Sequence, residues 1–303
     1  MLLDTKLPFR YIIKDILPDA IRVFLISVVF QLIKQFYSAW LPLIPLQLPT
    51  VLGGSISLLL AFKISQSYDR WWEARKVWGS IVNESRTLVM QANSFLEADE
   101  LLPTGADTRL KTLAYRQIAW CYSLGQGLRG LDPMASIANY LPEHELEYMR
   151  LHSNKPLALL TLHSIQIKSW FQAKTINSFQ QVQLDSTMVR LCEAMGQGER
   201  INSTVFPSSY RLLIYLFIYL FLVTLSLGLV ETIGLWEVPL LLSISITYFL
   251  LERTARYLQD PFSNRPTDTP VTAIARTVEI NLKQMLRESE VPEPSVAQSY
   301  YLM

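Results

Sequence analysis

A row of residues spaced by four lies in the second hydrophobic stretch of the chain. Leu58 and Phe62 share one face of a helix there, and Gly54 lies one turn earlier on that face. Rings of such side chains from several copies of the chain would form a dry constriction, and hydrophobic constrictions can gate by dewetting. The same spacing also fits packing of Leu58 and Phe62 against neighbouring helices. On spacing alone, packing is the more common case.

Residues that make or break bonds are not arranged as a site. His144, His152 and His163 do not form a His-x-x-x-His pattern with an intervening glutamate, which a helical zinc site would need. Cys121 and Cys192 form no CxxC pair, so we read them as buried thiols. The chain also has no phosphate-binding P-loop. We therefore expect no enzyme, no metal site and no cofactor.

The composition indicates a membrane protein. Charged residues make up 17% of the 303 residues and hydrophobic residues 50%, whereas soluble domains average about 25% charged residues. The net charge is +1 and the basic residues are scattered. We therefore expect membrane lipid as a partner and no nucleic acid.

Two apolar stretches precede a charged segment. Residues 1–21 predict an interfacial amphipathic segment, and Ile21–Trp40 predicts a first membrane helix in which Lys34 snorkels to the headgroups. Thr50–Lys63 predicts a second span, although a full crossing needs about 20 residues. It leads directly into the tryptophan-rich run Ser67–Gly79, as expected of a helix that leaves a membrane and continues into water.

The rest of the chain consists of polar segments and two further apolar stretches. Residues 64–208 predict a mostly helical soluble region that includes a long helix over Ala173–Glu199. Leu212–Val230 and Leu240–Leu251 predict the third and fourth membrane helices. A last helix is expected over Ala273–Glu288.

Basic residues predict the orientation. The turns Leu41–Pro49 and Glu231–Pro239 contain no lysine or arginine, whereas the opposite ends of the spans carry many. The positive-inside rule then places both termini and the middle region in the cytoplasm. The predicted division is 1–63 for the N-terminal segment and first two spans, 64–208 for a helical cytoplasmic region, 209–257 for the last two spans, and 258–303 for a cytoplasmic C-terminal segment.

Three ordered motifs across nearly the whole chain resemble the bestrophin channels, specifically their bacterial branch. They are Gly54–Gly79 with its Tyr-Asp-Arg-Trp-Trp-Glu-Ala-Arg-Lys-Val-Trp-Gly run, Gly198-Glu199-Arg200-Ile201 followed by Phe206-Pro207, and Asp260-Pro261-Phe262 followed by Asp268-Thr269-Pro270 and Ala273–Leu282. The resemblance implies an all-α membrane protein with four transmembrane helices and a helical cytoplasmic region. It also implies a homopentamer around a central pore.

The resemblance implies two constrictions along the pore. A neck of three hydrophobic rings falls on Gly54, Leu58 and Phe62, where Gly54 departs from the bulkier residue usual in the family. A cytoplasmic aperture falls on Phe179, with Ile176 as the next candidate.

Animal bestrophins bind calcium through an acidic run after the Pro-Phe pair. The corresponding run here, Ser263–Asp268, has one carboxylate and an added arginine, whereas calcium prefers several carboxylate ligands. We therefore expect no calcium gating through this run. Asp268 and Thr269 are instead expected to cap the last helix.

The sequence thus predicts a passive channel for monovalent ions in a bacterial inner membrane. Chloride-like anions are favoured, because ring edges of Phe62 are slightly positive and Lys63 and Lys174 would add positive potential near the path. A monovalent cation channel of the same fold is the first alternative. A membrane-anchored scaffold or signalling protein, or a coupled transporter, is the second.

Overall fold

The computed structural model describes residues 9–37, 44–96, 108–204, 207–229, 236–297 and 301. These residues are helical apart from turns and an extended tail. The helices are α1 Phe9–Tyr37, α2 Gln47–Phe95, α3 Thr108–Leu128, α4 Glu143–Arg150, α5 Lys155–Gln172, α6 Ser178–Ser203, α7 Ser208–Gly228, α8 Glu237–Gln259 and α9 Val271–Met285. The predicted all-α class is confirmed for this part of the chain.

The chain forms two compact units. The membrane unit comprises Asp4–Trp71 and Val205–Asp260, and the helical unit comprises Trp72–Thr204 and Pro261–Met303. In the part of the chain that the structure describes, four helices are long and apolar enough to cross a membrane, namely those containing Ile13–Tyr37, Gln47–Phe95, Ser209–Gly228 and Glu237–Gln259. This agrees with the predicted number of spans.

Several helix boundaries differ from the prediction. α1 begins at Phe9 and continues through Pro18 into the first span, so the described part of the predicted interfacial segment is not a separate element. α2 begins at Gln47 and therefore includes Pro49, which the first turn of a helix tolerates. α2 then runs for 49 residues without a break, so the apolar stretch and the charged stretch belong to one helix.

Apolar side chains from four helices form the core of the membrane unit, and Val23 of α1 is one of them. Ile56 and Leu60 of α2 are buried with Ile214 and Ile218 of α7 and Phe249 of α8. Two tyrosine hydroxyl groups add directional contacts to α2. Tyr210 donates to the backbone oxygen of Leu59, and Tyr248 donates to that of Gly53, each at 3.2 Å.

Buried charges tie α1 to α8 near both ends of α8. Lys34 is 7% exposed and donates to a carboxylate oxygen of Glu237 at 2.5 Å and to the backbone oxygen of Ser226. Lys34 therefore does not snorkel as predicted, because a carboxylate lies within its reach. At the other end of α8, Arg253 pairs with Asp15 at 3.1 Å and with Asp19 at 2.7 Å.

The core of the helical unit is built around α3, which is buried on almost every side. The largest buried side chains there are Trp78 of α2 and Trp120 of α3. Polar anchors fix the helices around them. Arg116 of α3 pairs with Glu145 of α4 at 2.5 Å with both side chains nearly inaccessible.

Glu279 connects α9 to the centre of the helical unit. Its carboxylate accepts hydrogen bonds at 2.8 Å from the hydroxyl groups of Tyr122 and Tyr140, and it pairs with Arg276 and Lys283. Burial alone would raise the pKa of Glu279, but these donors outweigh burial and lower it. Burial is the largest cause that raises the pKa of both tyrosines, and their hydrogen bonds to Glu279 raise it further.

The predicted cap of the last helix is wrong. α9 has Pro270 at its N-cap, and no side chain makes a capping hydrogen bond there. Asp268 instead accepts a hydrogen bond from the backbone N–H of Arg265 at 3.0 Å, which closes the turn before the helix. The Asp268 carboxylate is fully buried and interacts electrostatically with Arg129.

His163 of α5 is fully buried, and neither ring nitrogen has a hydrogen-bond partner. Burial is the main reason that the pKa of His163 lies well below its ordinary value, and the positive charge of Arg116 lowers it further. The folded protein therefore holds this imidazole neutral at a pH where the unfolded chain protonates it.

Replacing His163 with leucine should remove a pH dependence of stability. Because the pKa is lower in the folded state, stability is greatest above the unfolded pKa of about 6.5 and is lost as the pH falls below it. The slope reaches about 1.4 kcal/mol per pH unit for one such group. We expect His163→Leu to flatten the dependence between about pH 7.5 and about pH 5.5, measured by unfolding in detergent. His144→Gln, at an exposed position, is the control, and equal slopes in wild type and His163→Leu would contradict the prediction.

Two leucines two positions apart on α2 should differ sharply in their effect on stability. Leu60 is 1% exposed and Leu58 is 59% exposed. Leu60→Ala should lower the free energy of unfolding by about 2–5 kcal/mol, because it leaves a cavity between α2, α7 and α8. Leu58→Ala should change it by less than about 1 kcal/mol. Unfolding in detergent measures both, and similar losses at the two positions would contradict the burial pattern.

Candidate functional site

The predicted neck residues lie on the exposed face of α2. Leu58 is 59% exposed and Phe62 is 57% exposed, and Gly54 is also exposed. Because an α-helix turns by about 100° per residue, the three positions span only about 80° of the helix surface. They therefore form one row along α2, which we call the neck row.

The opposite face of α2 is packed. Ile56, Leu60, Lys63 and Ser67 are all buried, each 1% exposed. These positions lie within about 60° of Lys63 around the helix, whereas the neck row lies about 100–180° away from it. The interior of the membrane unit therefore contacts one side of α2 and leaves the other side open.

The open face of α2 is more polar than that of α1. Ser55, Ser57, Ser65 and Gln66 are exposed beside the neck row. The exposed residues of α1 in its apolar part are instead mostly large hydrophobic side chains, which are Ile21, Phe24, Leu25, Val29, Leu32 and Phe36, and the polar residues exposed there are Arg22 and Gln35 near its two ends. α8 is intermediate, with Ser243 and Thr247 exposed among leucines. Hydroxyl and amide groups on an open face fit a surface that meets water better than one that meets hydrocarbon.

Two adjacent glycines of α2 have different environments. A Cβ atom at Gly53 would lie 3.2 Å from Phe221 and from the hydroxyl oxygen of Tyr248, so packing favours glycine there. A Cβ atom at Gly54 would meet nothing within 4 Å. Glycine at position 54 is therefore not required by the packing of the protomer. Its effect is to leave the row open one turn before Leu58.

An ion pair lies directly behind the neck row. The ammonium group of Lys63 donates to a carboxylate oxygen of Glu252 at 2.8 Å, with side-chain exposures of 1% and 0%. The other carboxylate oxygen accepts from the hydroxyl group of Tyr215 at 3.2 Å. Lys63 therefore does not add free positive potential to the open face as predicted, because its charge points into the protein and is balanced.

The two aperture candidates have opposite environments. Phe179 lies in the first turn of α6 and is 83% exposed. Ile176 is 3% exposed and belongs to the core of the helical unit. Ile176 therefore cannot line an open path, unlike the prediction, because its side chain is already enclosed by its own protomer.

The turn before α6 explains why the predicted helix start at Ala173 is wrong. α5 ends at Gln172, and Lys174 has a positive φ of 57° in the turn that follows. The side chains of Asn177 and Gln180 then form a reciprocal capping box at the start of α6. This cap fixes the first turn of the helix and with it Phe179. Lys174 is exposed beside it.

The partner of Lys63 was missed by sequence reasoning. The end of the fourth apolar stretch at Leu251 placed Glu252 outside the membrane, whereas α8 continues to Gln259 and buries Glu252. The sequence signal that could have found the pair is that Glu252 follows the apolar stretch without a break, because a carboxylate in that position needs a cationic partner. Among the described residues, no group of three or more His, Cys, Asp or Glu side chains could hold a metal ion.

Comparison with known proteins identifies relatives across almost the whole chain. A model of the Bacterial/Fungal Bestrophin protein family matches residues 9–284. A voltage-dependent anion channel-forming protein of Ralstonia nicotianae is 25% identical over 95% of this chain and 94% of its own. The voltage-dependent anion channel-forming protein YneE of Escherichia coli is 29% identical over 83% of this chain and 80% of its own.

Solved structures show the same fold. The crystal structure of a bacterial bestrophin homolog from Klebsiella pneumoniae superimposes with a TM-score of 0.82 at 26% identity, covering 89% of this chain and 98% of that one. A second crystal structure, of a membrane protein that carries a single substitution, gives a TM-score of 0.83 at 26% identity over 90% and 99% of the two chains. Because the family match covers most of the chain and the fold agrees, the chain belongs to the bacterial and fungal bestrophin family.

Proposed function

We propose that this protein is a passive channel for monovalent anions. The observation that carries the proposal is the neck row, in which Leu58 and Phe62 expose large apolar side chains on the one face of α2 that its own protomer leaves open. Relatives that match most of the chain are named voltage-dependent anion channel-forming proteins, which supports this function and the choice of ion.

The channel is a homopentamer in this proposal. A single neck row cannot enclose a path, so several copies must place their α2 helices around one axis. Each copy then contributes one Leu58 and one Phe62 to two apolar rings, and Gly54 leaves the third ring wide. The family resemblance supports five copies, and the polar residues beside the neck row support a surface that meets water.

The neck acts on the hydration of the ion. An apolar ring holds water weakly, so a passing ion sheds part of its hydration shell and the ring closes by dewetting when it narrows. Phe62 can turn its slightly positive ring edge toward an anion. Since Lys63 is neutralised by Glu252, these ring edges and the exposed Lys174 supply the preference for anions.

Phe179 forms a second constriction in the helical unit. Its side chain is 83% exposed on a capped first turn of α6. A ring of five such residues would contact a partly dehydrated ion. The positive-inside rule supports a bacterial inner membrane location with both termini, residues 64–208 and residues 258–303 in the cytoplasm, which makes Phe179 the cytoplasmic aperture.

The neck is tested by single-channel recording of the purified protein in a planar bilayer with asymmetric KCl. The Leu58→Ala and Phe62→Ala double variant should raise the conductance at least about twofold, because rings of smaller side chains leave a wider opening for water. The matched control is Phe24→Ala with Leu25→Ala, which removes the same two side chains from the exposed face of α1. We expect that control to conduct like the wild type.

Several outcomes would contradict the proposed function. Unchanged conductance in the neck variant would remove Leu58 and Phe62 from the path. A reversal potential near the potassium equilibrium potential would indicate a cation channel. A monomer without conductance would favour a membrane-anchored scaffold, and flux coupled to a second ion would indicate a transporter.

Phe179 should affect which ion passes more than how much current flows. Phe179→Ala removes an exposed aromatic ring without disturbing the core, so we expect a changed permeability ratio among chloride, bromide and nitrate with nearly unchanged total current. Reversal potentials in mixed-anion solutions measure that ratio. Phe171→Ala, at another exposed phenylalanine of the helical unit, should leave the ratio unchanged. A Phe179→Ala ratio equal to that of the wild type would remove Phe179 from the aperture.

A further inference from the structure

We propose that Lys63 and Glu252 are positioning residues that set the rotation of α2 and thereby keep the neck row on the open face. Only the purpose of that rotation, which is to present the neck row to an ion path, rests on the proposed function. Within the membrane unit, we expect one buried ion pair, and not apolar packing alone, to determine which side chains of α2 are open.

The position of Lys63 makes it suited to this role. It directly follows Phe62 in the chain, and its Nζ atom lies 2.8 Å from Glu252 with both side chains inaccessible. A rotation of α2 by about one residue, or 100°, would bring Phe62 to the angular position of Lys63 and remove the ammonium group from its partner. The carboxylate of Glu252 would then remain as an uncompensated charge in an apolar environment, which is strongly unfavourable.

Apart from the close approach of Phe221 and Tyr248 to Gly53, the other contacts on the packed face discriminate less between rotations. Ile56 and Leu60 contact apolar side chains of α7 and α8, and such contacts have no preferred direction. The tyrosine hydroxyl groups of Tyr210 and Tyr248 donate to backbone oxygens of α2 at 3.2 Å. Those bonds are neutral and long beside the charge-assisted bond of Lys63.

Glu252 is itself held in a fixed frame. The next residue of α8, Arg253, pairs with Asp15 and Asp19 of α1. About 24 Å from Arg253 along the same helix, Glu237 accepts from Lys34 and Gln31 of α1. α1 and α8 are therefore joined at two separated points. The hydroxyl group of Tyr215 on α7 holds the second oxygen of Glu252, so the carboxylate that receives Lys63 has a defined place.

The rotation can be read from thiol accessibility in the full-length protein. Cys192 is exposed and Cys121 is buried, so Cys192→Ser provides a background with low reactivity. In that background, Leu58→Cys reports the open face and Ile56→Cys reports the packed face. A membrane-impermeant methanethiosulfonate reagent should label Leu58→Cys at least about tenfold faster than Ile56→Cys, because buried thiols are inert.

Breaking the pair should remove this contrast. With Glu252→Gln, which keeps the shape of the side chain, we expect the labelling ratio to fall by about tenfold toward unity. The matched control is Glu143→Gln, which makes the same change in the exposed pair with Arg150 and should leave the ratio unchanged. The exchanged pair, Lys63→Glu with Glu252→Lys, should restore part of the difference in labelling rate between Leu58→Cys and Ile56→Cys. If either side chain had a purely steric role, the exchange would not restore that difference.

If Glu252→Gln prevents folding, the variant Lys63→Met with Glu252→Leu replaces both charges with apolar side chains that a buried site tolerates. A lost contrast in that protein supports the proposal. If Leu58→Cys is still labelled at least about tenfold faster than Ile56→Cys in that double variant, or in folded Glu252→Gln, the proposal is overturned, because packing alone would then set the rotation. Such a protein can still conduct, so the proposed function would survive. An unreactive Leu58→Cys in the intact pair would instead overturn both.

Discussion

The buried ion pair between Lys63 and Glu252 orients α2 against the other helices of the membrane unit. It joins α2 to α8 at 2.8 Å in an environment where a lone charge would be very costly. Since α8 is joined to α1 by Glu237 and Arg253, the pair connects α2 to a frame that is already fixed. The apolar neck row is therefore oriented by charged groups that never meet the proposed path.

The periodic features of the molecule could be predicted from the sequence. Apolar length predicted the four spans, because a membrane helix must be long and uninterrupted. The four-residue spacing of Leu58 and Phe62 predicted a shared helix face, which the structure shows as an exposed row. The order of residues between Val51 and Gly79 likewise predicted that the apolar segment continues directly into the charged segment, and α2 runs through both.

Features that depend on a distant partner could not be predicted in the same way. Lys34 and Lys63 were read as groups that reach a headgroup layer or an ion path, because their carboxylate partners lie 203 and 189 residues away. Ile176 and Phe179 are three positions apart, and only the turn after α5 decides that one is enclosed and the other exposed. The cap predicted for Asp268 failed because the turn before α9 uses that carboxylate itself.

When copies of the chain assemble, we expect the open face of α2 to surround water. An electron cryo-microscopy map of the purified protein in lipid nanodiscs tests it most directly. We expect five copies whose α2 helices converge on an axis, with Leu58 and Phe62 as the narrowest rings of the membrane region. A map in which these two side chains face lipid, or a single subunit without a central opening, would contradict it.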